Sequence, residues 1–227
     1  SYFPQVAVGG GYSTLFSITN TGAIAASGTL ILTDQRGNPF TVRAESGDQP
    51  SFPLTVPPGG STFLTANPVT AGDPKTVTGW ARLESLGQSL TALATFRYVA
   101  GGTVQTIAGV FQSQPVRFAT IPVDNDDTQD QFTGYAIANP STESITVKLA
   151  LVDQNGAVVD DTVTFTLGPG QQRARFLHQD LDRLRFRGSM VLRGQGGKTF
   201  VAVALLQRLG RLTVIPVTPE KAAGVPD

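Results

Sequence analysis

From Ile145 to Leu151, the apolar side chains of Ile145, Val147, Leu149 and Leu151 alternate with Thr146, Lys148 and Ala150. A period of two puts every second side chain on one face, which predicts a half-buried strand. A second run follows, in which Val163, Phe165 and Leu167 alternate with threonines. Between the two lies Asp153-Gln-Asn-Gly156, where an aspartate can cap a tight turn and a glycine can take positive φ. The pair therefore reads as a hairpin, and Asp34-Gln-Arg-Gly37 is its twin.

The twin belongs to a longer repeat. Thr14 to Phe40 aligns without a gap onto Thr133 to Val159 at a constant offset of 119, matching Ile18 to Ile137, Asn20 to Asn139, and Leu30 and Leu32 to Leu149 and Leu151. The correspondence continues after insertions. Val56-Pro-Pro-Gly59 parallels Leu167-Gly-Pro-Gly170, and Gly79-Trp-Ala-Arg-Leu83 parallels Gly188-Ser-Met-Val-Leu192. Leu90, Ala92, Ala94 and Phe96 then parallel Phe200, Ala202, Ala204 and Leu206, small residues that suit a strand where two sheets approach closely. Each unit closes with another apolar strand, Val104 to Val110 and Leu212 to Val217. About seven or eight short strands per unit predict an all-β chain of two tandem antiparallel β-sandwich domains, duplicated. The expected boundaries are 1–115, 116–217 and a polar tail, 218–227, with an acidic joint near 124–130. One segment breaks the pattern: Leu177, Leu181 and Leu184 recur at helical spacing and predict a short helix between sheets. Its counterpart, Thr65 to Thr78, reads as an irregular loop.

The succession of Ile/Val-x-Asn-Pro/Thr, Leu-x-Leu-x-Asp-x-x-Gly, Leu/Val-x-Pro-Gly and a glycine-led strand resembles the tandem immunoglobulin-like or fibronectin-like repeats of secreted and cell-surface proteins of environmental bacteria. The resemblance spans residues 3 to 217. It implies an extracellular or cell-surface location and a supporting or binding role, and it brings no catalytic residue. The chain departs from true immunoglobulin domains in lacking their paired cysteines and a core tryptophan in both units, since Trp80 is the only one. Topology stays open between immunoglobulin-like and jelly-roll-like sandwiches.

Composition narrows the chemistry. No cysteine is present, which excludes disulfides, thiol catalysis and thiolate metal sites. With a single histidine, His178, no multi-histidine metal site can form within one chain. A serine hydrolase would need His178 oriented by Asp180 or Asp182, and no Gly-x-Ser-x-Gly elbow accompanies it. Carboxylate pairs of the glycosidase kind are not excluded by counting, but the acids sit mainly in turns. The expectation is a chain that is not an enzyme. No run approaches the roughly 18 apolar residues of a membrane span, and the N-terminal residues show no basic and apolar leader. The lysine-poor, Ser/Thr/Gly-rich composition suits an exported protein.

Net charge is zero but uneven, with an acidic stretch at 116–130 and a basic excess at 131–217. Three candidate sites follow. Asp124, Asp126 and Asp130 place oxygens at alternating positions, as a calcium loop does, although the glycine and distal glutamate of an EF-hand are replaced by Gln129 and Tyr135. A plain solvated acidic linker is the alternative. Arg173, Arg175, Arg185 and Arg187 form a basic patch suited to an acidic polysaccharide or a cell-surface protein, or simply to guarding a sheet edge. Without interleaved aromatics the patch does not suit nucleic acid. Trp80 and Tyr98, with Arg82, are the residues suited to stacking on a sugar, against core packing for Trp80. The leading expectation is a non-catalytic structural or adhesive module, followed by a carbohydrate-binding module and then by an uncharacterised enzyme.

Overall fold

The computed structural model describes residues 1–85, 87 and 89–220; residues 221–227 of the expected tail lie outside the described residues. The chain is all-β, with every strand pairing antiparallel. Contacts divide it into two compact units, Ser1–Gln114 and Pro115–Asp227.

The first unit holds β1 (Tyr2–Val8), β2 (Tyr12–Asn20), β3 (Ala26–Asp34), β4 (Val42–Ala44), β5 (Gly47–Gln49), β6 (Ser51–Val56), β7 (Ser61–Ala66), β8 (Val77–Ser85), β9 (Leu90–Ala100) and β10 (Thr103–Phe111). Two four-stranded sheets, ordered β1-β8-β3-β6 and β10-β9-β2-β7, contribute to one core. Phe3, Leu30, Leu32, Phe52, Ala81 and Leu83 come from the first sheet, and Phe16, Ile18, Ala92 and Ala94 from the second. The period-two pattern explains the arrangement, because in β2 Thr14, Phe16, Ile18 and Asn20 are buried while their neighbours are not. In an immunoglobulin constant domain the first two strands share a sheet. Here β1 and β2 lie in different sheets, so the order departs from that pattern.

The second unit holds β11 (Phe118–Asp126), β12 (Gln131–Ala138), β13 (Ile145–Asp153), β14 (Val158–Leu167), β15 (Gln172–Phe176), a one-turn helix α1 (His178–Leu181), β16 (Arg185–Gly194), β17 (Val201–Arg208) and β18 (Arg211–Ile215). Its strands run β14-β13-β16-β11, then through the single pair Asp126–Gln131 into β12-β17-β18, with β15 on the other side of β12. Neighbour for neighbour this is the order of the first unit. Ile121, Ile137, Val147, Leu149, Leu192, Phe200, Ala202 and Ala204 fill its core.

Polar contacts follow the same equivalence. The Asn20 side-chain amide donates to the carbonyls of Ile24, Val56 and Pro57, and that of Asn139 to those of Glu143, Leu167 and Gly168. Asp34 Oδ1 accepts from the amides of Arg36 and Asn38, and Asp153 Oδ1 from those of Asn155 and Ala157. A Cβ on Gly79 would lie 2.3 Å from the Thr33 carbonyl, and one on Gly188 would lie 2.1 Å from that of Val152. Both glycines are therefore imposed by strand 8-to-3 contact in one unit and its equivalent in the other.

Three expectations need correcting. The helix is shorter than Leu177, Leu181 and Leu184 suggest, because β16 has already begun at Arg185; Leu177 is buried and Leu184 is 42% exposed. The acidic segment 124–130 is no joint between units. It is the turn between β11 and β12, inside the second unit, with a 3₁₀ turn at Asp127–Gln129 and Asp130 closing it at φ 48°. Finally Thr218, expected to open a polar tail, exchanges backbone hydrogen bonds with Thr120 at 2.8 and 2.9 Å.

Candidate functional site

The acidic and basic residues meet in the register of β11 against β16, which sets Asp124 opposite Arg187 and Asp126 opposite Arg185. Arg187 Nε lies 2.8 Å from Asp124 Oδ1, and Arg185 Nε lies 2.6 Å from Asp127 Oδ1. Asp126 accepts from the amide and hydroxyl of Thr128 and from Gln129 Nε2. The Thr128 hydroxyl is the foremost cause holding the Asp126 carboxyl below its usual range. Asp124 and Arg187, expected in separate sites, thus pair with one another, and Arg185 pairs with Asp127. Among the described residues no three acidic or histidine side chains converge as a metal cluster. With the segment folded as a hairpin turn, the interdomain geometry behind the calcium expectation is removed.

The other two arginines part company. Arg173 forms an ion pair with Asp180, whose side chain is 4% exposed, and its guanidinium lies 4.7 Å over the Phe165 ring. Tyr135, buried in the core, donates its hydroxyl to the same carboxylate and accepts from Arg173 Nε at 3.3 Å. Burial, reinforced by Asp180, raises the Tyr135 pKa. Arg175 is exposed. Sequence reasoning missed this network; its one signal is that the offset of 119 sets Tyr135 where the first unit has Phe16. His178 packs 4.3 Å from the Phe132 ring and 5.8 Å from that of Phe176, and Asp180 is already committed to Tyr135 and Arg173.

The sugar-stacking residues are not brought together. Trp80 is 1% exposed, so its faces are closed to a ligand, a correction that alternation alone could not supply. It stands on the opposite face of β8 from the core residues Ala81 and Leu83, with its ring 6.3 Å from that of Tyr2. Arg82 pairs with Glu84 at 2.8 Å in that same strand. Tyr98 belongs to the other sheet and stacks on Tyr12 at 4.7 Å. Burial, with Tyr98 beside it, raises the Tyr12 pKa.

An open apolar surface lies elsewhere, on the outer face of the β10-β9-β2-β7 sheet. Register sets Phe111 opposite Leu93, Leu93 opposite Ser17, and Ser17 opposite Phe63, in one row across four strands. Phe111 is 78% exposed, Phe63 66% and Ile107 62%. The outer two strands of such a row stand roughly 14 Å apart. At one end the β4–β5 hairpin, locked by Arg43 on Asp48 at 2.9 and 3.0 Å, bridges through Arg43 to Asn67 beyond β7. The Arg43 guanidinium holds the Asp48 carboxyl below its usual range. Hairpin and strand enclose a groove of about 730 Å³, lined by Arg43, Glu45, Ser46, Phe63, Thr65 and Asn67. The hairpin has no counterpart in the second unit, so the repeat gave no hint of it.

No protein-family model matches the chain, and no curated protein matches it. Among solved structures, the vicilin from Solanum melongena is similar at 8% identity and a TM-score of 0.25, over 90% of this chain and 71% of that one. A red sea bream transglutaminase is similar at 11% identity and a TM-score of 0.18, over 94% of this chain and 30% of that one. Likenesses of this size carry no argument about fold or chemistry here.

Proposed function

We propose that this chain is a tandem pair of duplicated β-sandwiches serving as a non-catalytic structural or adhesive module of an exported bacterial protein. One observation carries the reading: Asp124, Arg173, Arg185 and Arg187 are each paired within the fold, whereas Phe63, Ile107 and Phe111, all highly exposed, share one face of a sheet. A surface of that kind acts by association. Its composition supports export, and the resemblance to bacterial surface repeats points the same way.

A carbohydrate-binding module is the second reading, favoured by the groove in which the exposed Phe63 ring stands beside Arg43, Glu45 and Asn67. Depletion of the soluble chain by a panel of insoluble polysaccharides, assayed in parallel for sugar release, separates these readings. The structural reading expects no depletion and no release. Depletion abolished by Phe63→Ala would replace it with the carbohydrate reading, and release of sugar would replace both with an enzyme.

A further inference from the structure

Sheet edges expose unpaired backbone groups, and proteins guard them with proline, bulges, charge or a covering segment. Among the described residues nearly every edge is guarded. β1 carries Pro4 and a register shift between Phe3 and Val6, and β6 carries Pro53. β7 runs into the β4–β5 hairpin through the Arg43–Asn67 bridge. β14 has a register shift opposite Ala150 and Leu151, β15 bears Arg173 and Arg175, and β18 is five residues long and begins with Arg211.

The exception is β10. Its sequence, Thr-Val-Gln-Thr-Ile-Ala-Gly-Val-Phe, has no charge and no proline, and it ends the sheet order with β9 as its single partner strand. A register shift affects only its start, between Val104 and Thr106, and pairing runs unbroken from Thr106 to Phe111. On its outer face Ile107 and Phe111 are exposed, with Gly109 between them.

We propose that β10 pairs antiparallel with β10 of a second copy of this chain, joining two four-stranded sheets into one of eight strands. The inference rests on the reading of the chain as a module that acts through its surface. A two-fold axis perpendicular to the sheet keeps outer faces together only when opposed residues have the same parity. Centring the axis on Gly109 uses the regular part of the strand and sets Ile107 opposite Phe111 of the second copy, twice. Aromatic and β-branched side chains favour each other across strands. In each copy Leu93, Ser17 and Phe63 extend the row outward from Phe111, and Arg97 and Ser13 extend it from Ile107. Self-pairing is permitted electrostatically because an uncharged strand sets no like charges against each other.

Sedimentation equilibrium of the full chain, from low to high micromolar concentration, tests this. The expected result is a reversible monomer–dimer equilibrium. The doubly substituted Ile107→Lys/Phe111→Lys chain opposes like charges at both contacts and should stay monomeric. Ile107→Lys/Phe111→Glu, equally polar, opposes unlike charges and should dimerise. Both positions are exposed, and circular-dichroism melts verify that each variant folds. A wild-type chain monomeric throughout, association that survives the double lysine variant, or identical behaviour of the two variants would overturn the proposal. Because this reads mass in solution, its failure leaves the polysaccharide result to judge the broader reading separately.

Discussion

Asn20 and Asn139 show how one residue type fixes a strand end. Each is fully buried, and each donates to three backbone carbonyls contributed by two separate segments. Removing the amide takes a donor from each carbonyl; Pro57 and Gly168 keep the amides of Gly60 and Gln171, and each buried group left unsatisfied costs about 1–3 kcal/mol. Asn20→Ala and Asn139→Ala should therefore each lower stability by at least that range, to a similar extent, as measured by urea unfolding. A negligible effect of either would show that its contacts are dispensable. The local part of this role, the bond to the carbonyl four residues on, was legible in the sequence, whereas the bonds to Val56 and Leu167 depend on a distant strand. For Trp80 the sequence offered core packing beside sugar stacking, but not the face on which it is buried. Alternation assigns a side chain to a face of a strand, but whether that face is covered depends on residues far along the chain.

At the scale of elements, α1 is held by ionic contacts more than by helical propensity, since four residues give too few internal hydrogen bonds for independent stability. Its anchor is Asp180, between Tyr135 and Arg173. Burial raises the Tyr135 pKa, so the neutral phenol is the folded form. The sign follows: its contribution is complete below the ordinary tyrosine pKa of about 10 and is lost as pH rises beyond it. Thermal melts should show Tm falling in that alkaline window, and Tyr135→Phe should flatten the fall while costing about 1–3 kcal/mol near neutrality. An unchanged alkaline profile in the variant would contradict the assignment. Strands and their tight turns were readable from period two and from Asp-x-x-Gly. The pairing of Asp124 with Arg187 was not, because it depends on the register of strands some sixty residues apart. Two charged clusters that look like separate sites in a linear reading are adjacent columns of one sheet.

At the scale of the molecule, the repeat at an offset of 119 is matched by equivalent strand neighbours in the two units, and by equivalent asparagine, aspartate and glycine contacts. The differences lie in the β4–β5 hairpin with its groove, an insertion in the first unit, and in α1 with the Tyr135 network, which stands in the second unit where the first has a loop and Phe16. Sequence periodicity carries the shared part because strand burial is local in origin. It cannot carry these differences, whose structure depends on what each packs against. The account that emerges is of two units with equivalent strand order, in which the charged groups Asp124, Arg173, Arg185 and Arg187 are paired internally and β10 offers an unguarded strand edge. Hydrogen exchange resolved by segment, run on the wild-type chain at low and high concentration, tests it most directly. The account expects slow exchange at both concentrations in the interior strands β2, β3, β8 and β9 and in their equivalents β12, β13, β16 and β17. It further expects residues 107–111 to gain protection only at high concentration. Protection confined to one unit, or exchange in β10 indifferent to concentration, would contradict it.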